Sequence, residues 1–176
     1  RAVMNEEYDM ASELIVRGGN ANLLNEEGYS PFLVTLAREE LGLAETMIRF
    51  GADVNGKIGN DVRLTTVFSM ADSYLVLKFL FDRGANVNLQ DGAGATPFIQ
   101  AAQSGQVHNL KFLEAVGADV QAMNDNDRNA LDFAANEGHV EALQYVLDLG
   151  LKVNKVDKFN TTPLMHAASG GNPECV

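Results

Sequence analysis

Apolar positions along this chain recur in register, one set every 33 residues. Tyr8, Leu41, Tyr74, Val107 and Val140 form one column, Ala11, Ala44, Leu77, Leu110 and Leu143 a second, and Leu14, Met47, Leu80, Leu113 and Val146 a third. Within each copy they lie at i, i+3 and i+6, which predicts a short amphipathic helix with one buried stripe. A second helical stretch precedes it and carries small residues, Ala101-Ala102, Ala134-Ala135 and Ala167-Ala168, which let neighbouring helices approach closely. A unit this short cannot enclose a core alone, so each copy must bury a face on the next, giving an elongated solenoid.

Punctuation between the helices keeps the same period. Gly18, Gly51, Gly84, Gly117 and Gly150 follow the apolar stripes and are expected to end the helices in the left-handed conformation. The segments behind them are similar, as in Gly51-Ala52-Asp53-Val54-Asn55 and Gly84-Ala85-Asn86-Val87-Asn88. Asn25-Glu26-Glu27-Gly28 reads as a turn, and its last position becomes Asp61, Gly94, Asp127 and Asn160 in later copies, all residue types that tolerate positive φ. Ser30-Pro31 then opens a helix, with Ser30 as N-cap and Pro31 at the first helical position; Thr96-Pro97 and Thr162-Pro163 repeat the device, and Asn129-Ala130 repeats it more weakly. The expected organisation is one domain over 1–176, with copies at 1–24, 25–57, 58–90, 91–123, 124–156 and 157–176. The first and last copies are incomplete, so flanking residues are expected beyond both ends.

Composition narrows the classes. Hydrophobic residues make up 46%, with four prolines and no apolar run long enough to span a bilayer, which indicates a soluble, ordered chain without membrane contact. The net charge of −11, with no Lys or Arg cluster, repels phosphate backbones and excludes nucleic acid as a natural ligand; neutral to basic proteins or peptides suit it better. The single cysteine, Cys175, and three scattered histidines offer neither a disulfide nor metal-ligand spacing. The compartment stays open, the cytoplasm being slightly favoured, and a monomer is the favoured state.

Thr96-Pro97-Phe98-Ile99-Gln100-Ala101-Ala102, Gly138-His139 and Gly51-Ala52-Asp53-Val54-Asn55 resemble the signature of the ankyrin repeat, and at a constant period the likeness covers essentially the whole chain. The resemblance implies an all-α ankyrin-repeat solenoid: helix pairs form the body, β-hairpin fingers project from it, and a concave surface of fingertips and first helices binds other proteins. The chain departs from the family at the histidine after Thr-Pro-Leu, replaced by Leu33, Thr66, Ile99, Asp132 and Met165, so that residue's bonds to neighbouring loops must be absent or replaced. The third copy has Arg63-Leu64 for Thr-Pro, Phe68-Ser69 for the alanines and Asp72 for the glycine, and should be the least regular; restoring Thr-Pro there should stabilise it. Glu114 stands in the column of Ile15, Ile48, Phe81 and Leu147, which implies a helix face tilted toward water.

Catalytic chemistry finds little support. His108, His139 and His166 fall in separate copies without a nucleophile or carboxylate recurring at triad or ligand spacing, Cys175 reads as a packing thiol, and Gly92-Ala93-Gly94 lacks the lysine and strand of a phosphate loop. Glu26-Glu27 and Asp125-Asn126-Asp127 lie on separate fingers and read as solvated tips instead of calcium ligands. No enzyme activity, cofactor or metal is expected. The columns the scaffold leaves free are the positions flanking the finger turn and those ending the first helix, and these hold Tyr29, Met70, Arg128 and Phe159, residue types that anchor interfaces. The predicted protein-binding set is these four with Arg38, Asn126 and the acidic Glu26, Glu27 and Glu137, the acids steering basic groups; Arg128 is taken as a surface residue whose loss spares stability. The alternative is that the repeats form a substrate-recognition or regulatory arm of an enzyme whose catalytic domain lies outside this chain; a third reading makes them a spacer.

Overall fold

A computed structural model describes residues 10–58, 65–66 and 73–171. Helix α1 covers residues 10–16, and the rest follow as α2 (Pro31–Ala37), α3 (Leu41–Arg49), α4 (Tyr74–Phe81), α5 (Pro97–Gln103), α6 (Val107–Ala115), α7 (Ala130–Glu137), α8 (Val140–Asp148) and α9 (Pro163–Ser169). The fold is all-α; the described strands are β1 (Lys57–Ile58) and β2 (Thr65–Thr66), paired antiparallel with Lys57 opposite Thr66. The residues divide into two compact units, one within Arg1–Ala85 and one within Asn86–Val176.

Local rules account for the helix starts. Ser30 Oγ accepts from Leu33 N at 3.1 Å, Thr96 Oγ1 from Ile99 N at 3.5 Å and Thr162 Oγ1 from Met165 N at 3.3 Å, each followed by proline at the first helical position. Asn129, weaker by sequence, makes the fuller cap: its Oδ1 accepts from Leu131 N and Asp132 N while Asp132 Oδ2 accepts from Asn129 N at 2.9 Å, a reciprocal capping box. The glycine column adopts φ between 82° and 97° at all five positions, as the period implied.

Two of the expected columns are buried at Ala44, Leu77 and Leu110 and at Met47, Leu80, Leu113 and Val146, while the first column departs from expectation. Tyr74 and Val140 are 45% and 41% exposed, Leu14 is 60% exposed, and Leu41 and Val107 are only half-buried. The column one residue before Leu77 is buried in their place, as Leu43, Val76, Asn109 and Ala142. At about 100° per residue, positions i, i+1 and i+4 share one face, an arc of roughly 100°, and the residue at i−2 falls roughly 60° beyond its edge. Val76, Leu77 and Leu80 are that face in α4, and Asn109, Leu110 and Leu113 are its equivalent in α6.

In the second unit α7 packs between α5 and α9, with α6 against α5 and α8 against α7. Phe98, Ile99, Ala101, Ala102, Ala130, Leu131, Ala134 and Ala135 are buried there, so the alanine pairs do allow close approach; Ala168 is exposed. In the first unit α2 packs on α3 over Phe32, Leu33, Leu36, Ala44 and Met47. The asparagine of the repeated loop joins consecutive copies: Asn22 Nδ2 donates to Gly51 O at 2.8 Å while its Oδ1 accepts from Asp53 N at 2.9 Å, and Asn88 Oδ1 accepts from Asp119 N at 2.8 Å. Glu114 is exposed and accepts from the Tyr145 hydroxyl at 2.6 Å, in line with a face turned toward water. Arg63, Leu64, Phe68, Ser69 and Asp72, on which the irregularity of the third copy rests, lie outside the described residues, as do Asp61 and Cys175.

Candidate protein-binding surface

The finger turns that begin at Asn25, Asp91, Asn124 and Asp157 are each tied by the side chain at that first position. Asn25 Oδ1 accepts from Glu27 N and Tyr29 N, Asp91 Oδ1 from Ala93 N and Ala95 N, Asn124 Oδ1 from Asn126 N and Arg128 N, and Asp157 Oδ1 from Phe159 N and Thr161 N, at 2.8 to 3.0 Å. These Asx turns force the closing residue to positive φ, seen at Gly28, Gly94, Asp127 (57°) and Asn160 (56°). The residues just before and after it are thereby held in fixed positions on the finger.

In the second unit the fingers are also bonded to one another. Asp125 N donates to Ala93 O at 3.0 Å and Lys158 N to Asn126 O at 3.1 Å, while Lys158 Nζ reaches Asp125 O and Lys155 Nζ reaches Asp127 O. Beneath the last finger lies a buried polar cluster. The Asp157 side chain is fully buried, and its Oδ2 meets Arg128 Nε at 2.9 Å and His166 Nε2 at 3.1 Å. Burial alone pushes its pKa up, but the N–H of Thr161, the Arg128 guanidinium, the N–H of Phe159 and His166 outweigh it and hold the carboxyl well below the usual range. Asp91 repeats part of this device, its Oδ2 accepting from Gln100 Nε2 at 2.6 Å, with Gln100 in the column of His166.

The predicted binding residues fall into two groups. In the second unit Arg128 and Phe159 come together, the guanidinium carbon 5.7 Å from the ring centroid. Phe159 is 64% exposed, but Arg128 is half-buried and committed to Asp157, so it serves the fold as well as the surface. The signal for that bond was the Asp/Asn column at 25, 91, 124 and 157, whose side chains recur without an apolar reason. Asn126 presents an exposed side chain beside its bonded carbonyl, and Glu137 is exposed and accepts from Asn136 Nδ2 at 3.1 Å. In the first unit Tyr29, 44% exposed, and Arg38 line one groove of about 540 Å³ with Leu23, Leu24, Val34 and Met47, and the exposed Glu26 and Glu27 sit on the same finger as Tyr29. Met70 lies outside the described residues.

Two of the three histidines are placed by packing. His166 is buried on Asp157, His139 stands where a Cβ on Gly105 would come within 2.7 Å of its ring, and His108 is exposed on α6. Among the described residues no group of three or more His, Cys, Asp or Glu is arranged to hold a metal ion, and no helix is long and apolar enough to cross a membrane.

Finger turns linked by repeated asparagines, Thr-Pro caps and alanine-lined helix pairs are all seen in this geometry, and a family model described as ankyrin repeats (3 copies) matches residues 66–157, more than half of the chain. The chain belongs to the ankyrin-repeat family. Ankyrin repeats are in general protein–protein interaction modules, and the family is typically non-enzymatic. The histidine this chain lacks at the ankyrin Thr-Pro-Leu-His position is replaced at Asp132 by a link of the same kind, because Lys155 Nζ, from the next finger, stands 3.3 Å from Asp132 Oδ2.

Proposed function

We propose that this chain is a non-enzymatic binding module that holds a neutral to basic protein or peptide against its finger turns and first helices, the concave face of the ankyrin family. The observation that carries the reading is Phe159: an aromatic ring, 64% exposed, on a finger fixed by an Asx turn, a backbone bond to the preceding finger and a buried carboxylate. Rigid exposed aromatics contribute contact area at little entropic cost, which is why they anchor interfaces. Asn126 and Glu137 supply polar contacts in the second unit, and Tyr29, Arg38, Glu26 and Glu27 supply the equivalent set in the first.

Photocrosslinking tests this. Benzoylphenylalanine placed at position 159 or 29 should give a discrete adduct with a partner that unlabelled chain competes away, while the same group at Lys111 or Gln144 on the second helices should not. Adducts confined to Lys111 and Gln144 would place binding on the opposite face.

A further inference from the structure

The groove of the first unit differs from a flat interaction surface in how its polar atoms are used. Its walls carry Leu23, Leu24, Val34, Leu43 and Met47 beside Ala11 and Pro31. Ser30 Oγ is occupied by Leu33 N, Asn25 Oδ1 by Glu27 N and Tyr29 N, and Thr35 Oγ1 donates to Pro31 O at 2.9 Å. Those three side-chain oxygens are therefore engaged by the fold. Leu23, Leu24 and Val34 nevertheless stay 67%, 39% and 42% exposed, side by side in one concavity. The charged lining residues are Arg38 and Glu40; Glu26 and Glu27 lie in the chain between the lining residues Asn25 and Tyr29, and Glu39 between Arg38 and Glu40. Glu27, Glu39 and Glu40 outnumber Arg38 on the segments that border the groove, which makes its rim acidic.

We infer that this groove is a side-chain pocket for a basic-apolar peptide segment: a leucine-like residue enters between Leu23, Val34 and Met47, and flanking Lys or Arg side chains meet Glu27 and Glu40. The inference rests on the binding-module reading and makes it specific by naming the site and the chemistry of the occupant. Apolar burial gives the affinity, and the acidic rim selects against acidic segments of equal hydropathy.

The test uses the chain with a short fluorescein-labelled synthetic peptide in which a leucine pair is flanked by lysines, read by fluorescence anisotropy. The parent peptide should bind, and replacing its lysines by glutamates, or its leucines by serines, should each weaken binding by at least about tenfold. Val34→Glu and Leu23→Ser, both at exposed positions, should abolish or strongly weaken binding with an unchanged melting temperature, and raising the salt should weaken the parent peptide more than a lysine-free one. No binding of the parent peptide, or binding that ignores Val34→Glu, overturns the pocket. If that binding is instead lost in Phe159→Ala, the pocket fails while the binding-module reading survives; if neither substitution matters and no adduct forms from positions 29 and 159, both fail. Binding that appears only after residues 1–9 are deleted also overturns it, since this chain's own segment is then the occupant.

Discussion

Arg128 Nε lies 2.9 Å from Asp157 Oδ2, across 29 residues of sequence, and joins the finger of one copy to that of the next. The arginine side chain is 32% exposed and the carboxylate fully buried, so its two ends serve different purposes. Arg128→Ala should therefore destabilise the chain by roughly 2 kcal/mol, because a buried acceptor loses a charged donor. Phe159→Ala, at an exposed ring, should change stability by less than about 0.5 kcal/mol. Urea denaturation of the two variants separates a clasp from a surface anchor; equal midpoints would show the ion pair to be inconsequential.

The same carboxylate makes stability depend on pH. The Asp157 carboxyl is held below its ordinary range in the folded chain, so its contribution is fully present above the unfolded-state pKa of about 3.9 and is lost as the pH falls from there through the lower folded value. Asp157→Asn should lower stability at neutral pH and flatten the decline below about pH 4. Midpoints measured across that range for both proteins give the comparison, and parallel curves would assign the acid sensitivity to other groups.

Two glycines with nearly equal φ should respond differently to the same methyl group. Gly84 has φ +86° and open space around a built Cβ, whereas at Gly94, φ +77°, that atom would lie 2.5 Å from Asp125 Oδ1 and 2.7 Å from Asp125 N. Gly84→Ala carries the backbone strain alone, about 1 kcal/mol; Gly94→Ala adds a clash with a neighbouring finger's backbone and should cost clearly more. Gly84→Val, β-branched at positive φ, should exceed Gly84→Ala. Thermal melts rank the three, and equal losses at Gly84 and Gly94 would contradict the close approach of the fingers.

Tyr145 should ionise well above the ordinary tyrosine range. Burial of its ring, then its hydrogen bond to Glu114, push the phenol up to about 12. Glu114→Gln removes the neighbouring charge and should lower that value, read from the ring carbon shifts of labelled tyrosine during alkaline titration. The protonated phenol favours the fold below the unfolded value of about 10, and that contribution disappears as the pH rises through the folded value.

The repeat plan was legible because its determinants are local: a left-handed glycine, a capping hydroxyl and a proline act within a few residues, and recur in register. The ankyrin resemblance and the Ser30, Thr96 and Thr162 caps needed nothing else. One edge of the stripe was misplaced because periodicity gives a spacing but no phase; the position of the partner helix decides that Val76 and Asn109 face inward beside Leu77 and Leu110 while Tyr74 does not. Arg128 was read from its column as a free surface residue, and its acceptor comes from a different copy. Tyr29 and Arg38, by contrast, flank α2 within one copy and line one groove.

Asp132 carries the last prediction. It is 1% exposed, in a column otherwise holding Leu33, Thr66, Ile99 and Met165, and its Oδ2 accepts from Asn129 N and Lys155 Nζ while Oδ1 is buried without a partner among the described residues. A carboxylate in this setting depends on the lysine, since desolvation is costly and only half of its acceptor capacity is used. Lys155→Met should leave that charge uncompensated and destabilise by roughly 3 kcal/mol. Asp132→Leu restores the residue type found at Leu33, loses one capping bond of about 1 kcal/mol, and frees Lys155 to turn toward water. The double variant Asp132→Leu, Lys155→Met should then be more stable than Lys155→Met alone, with a coupling above about 1 kcal/mol in the cycle. Additive losses would mean that the lysine secures the finger through Asp127 O and has no energetic tie to Asp132.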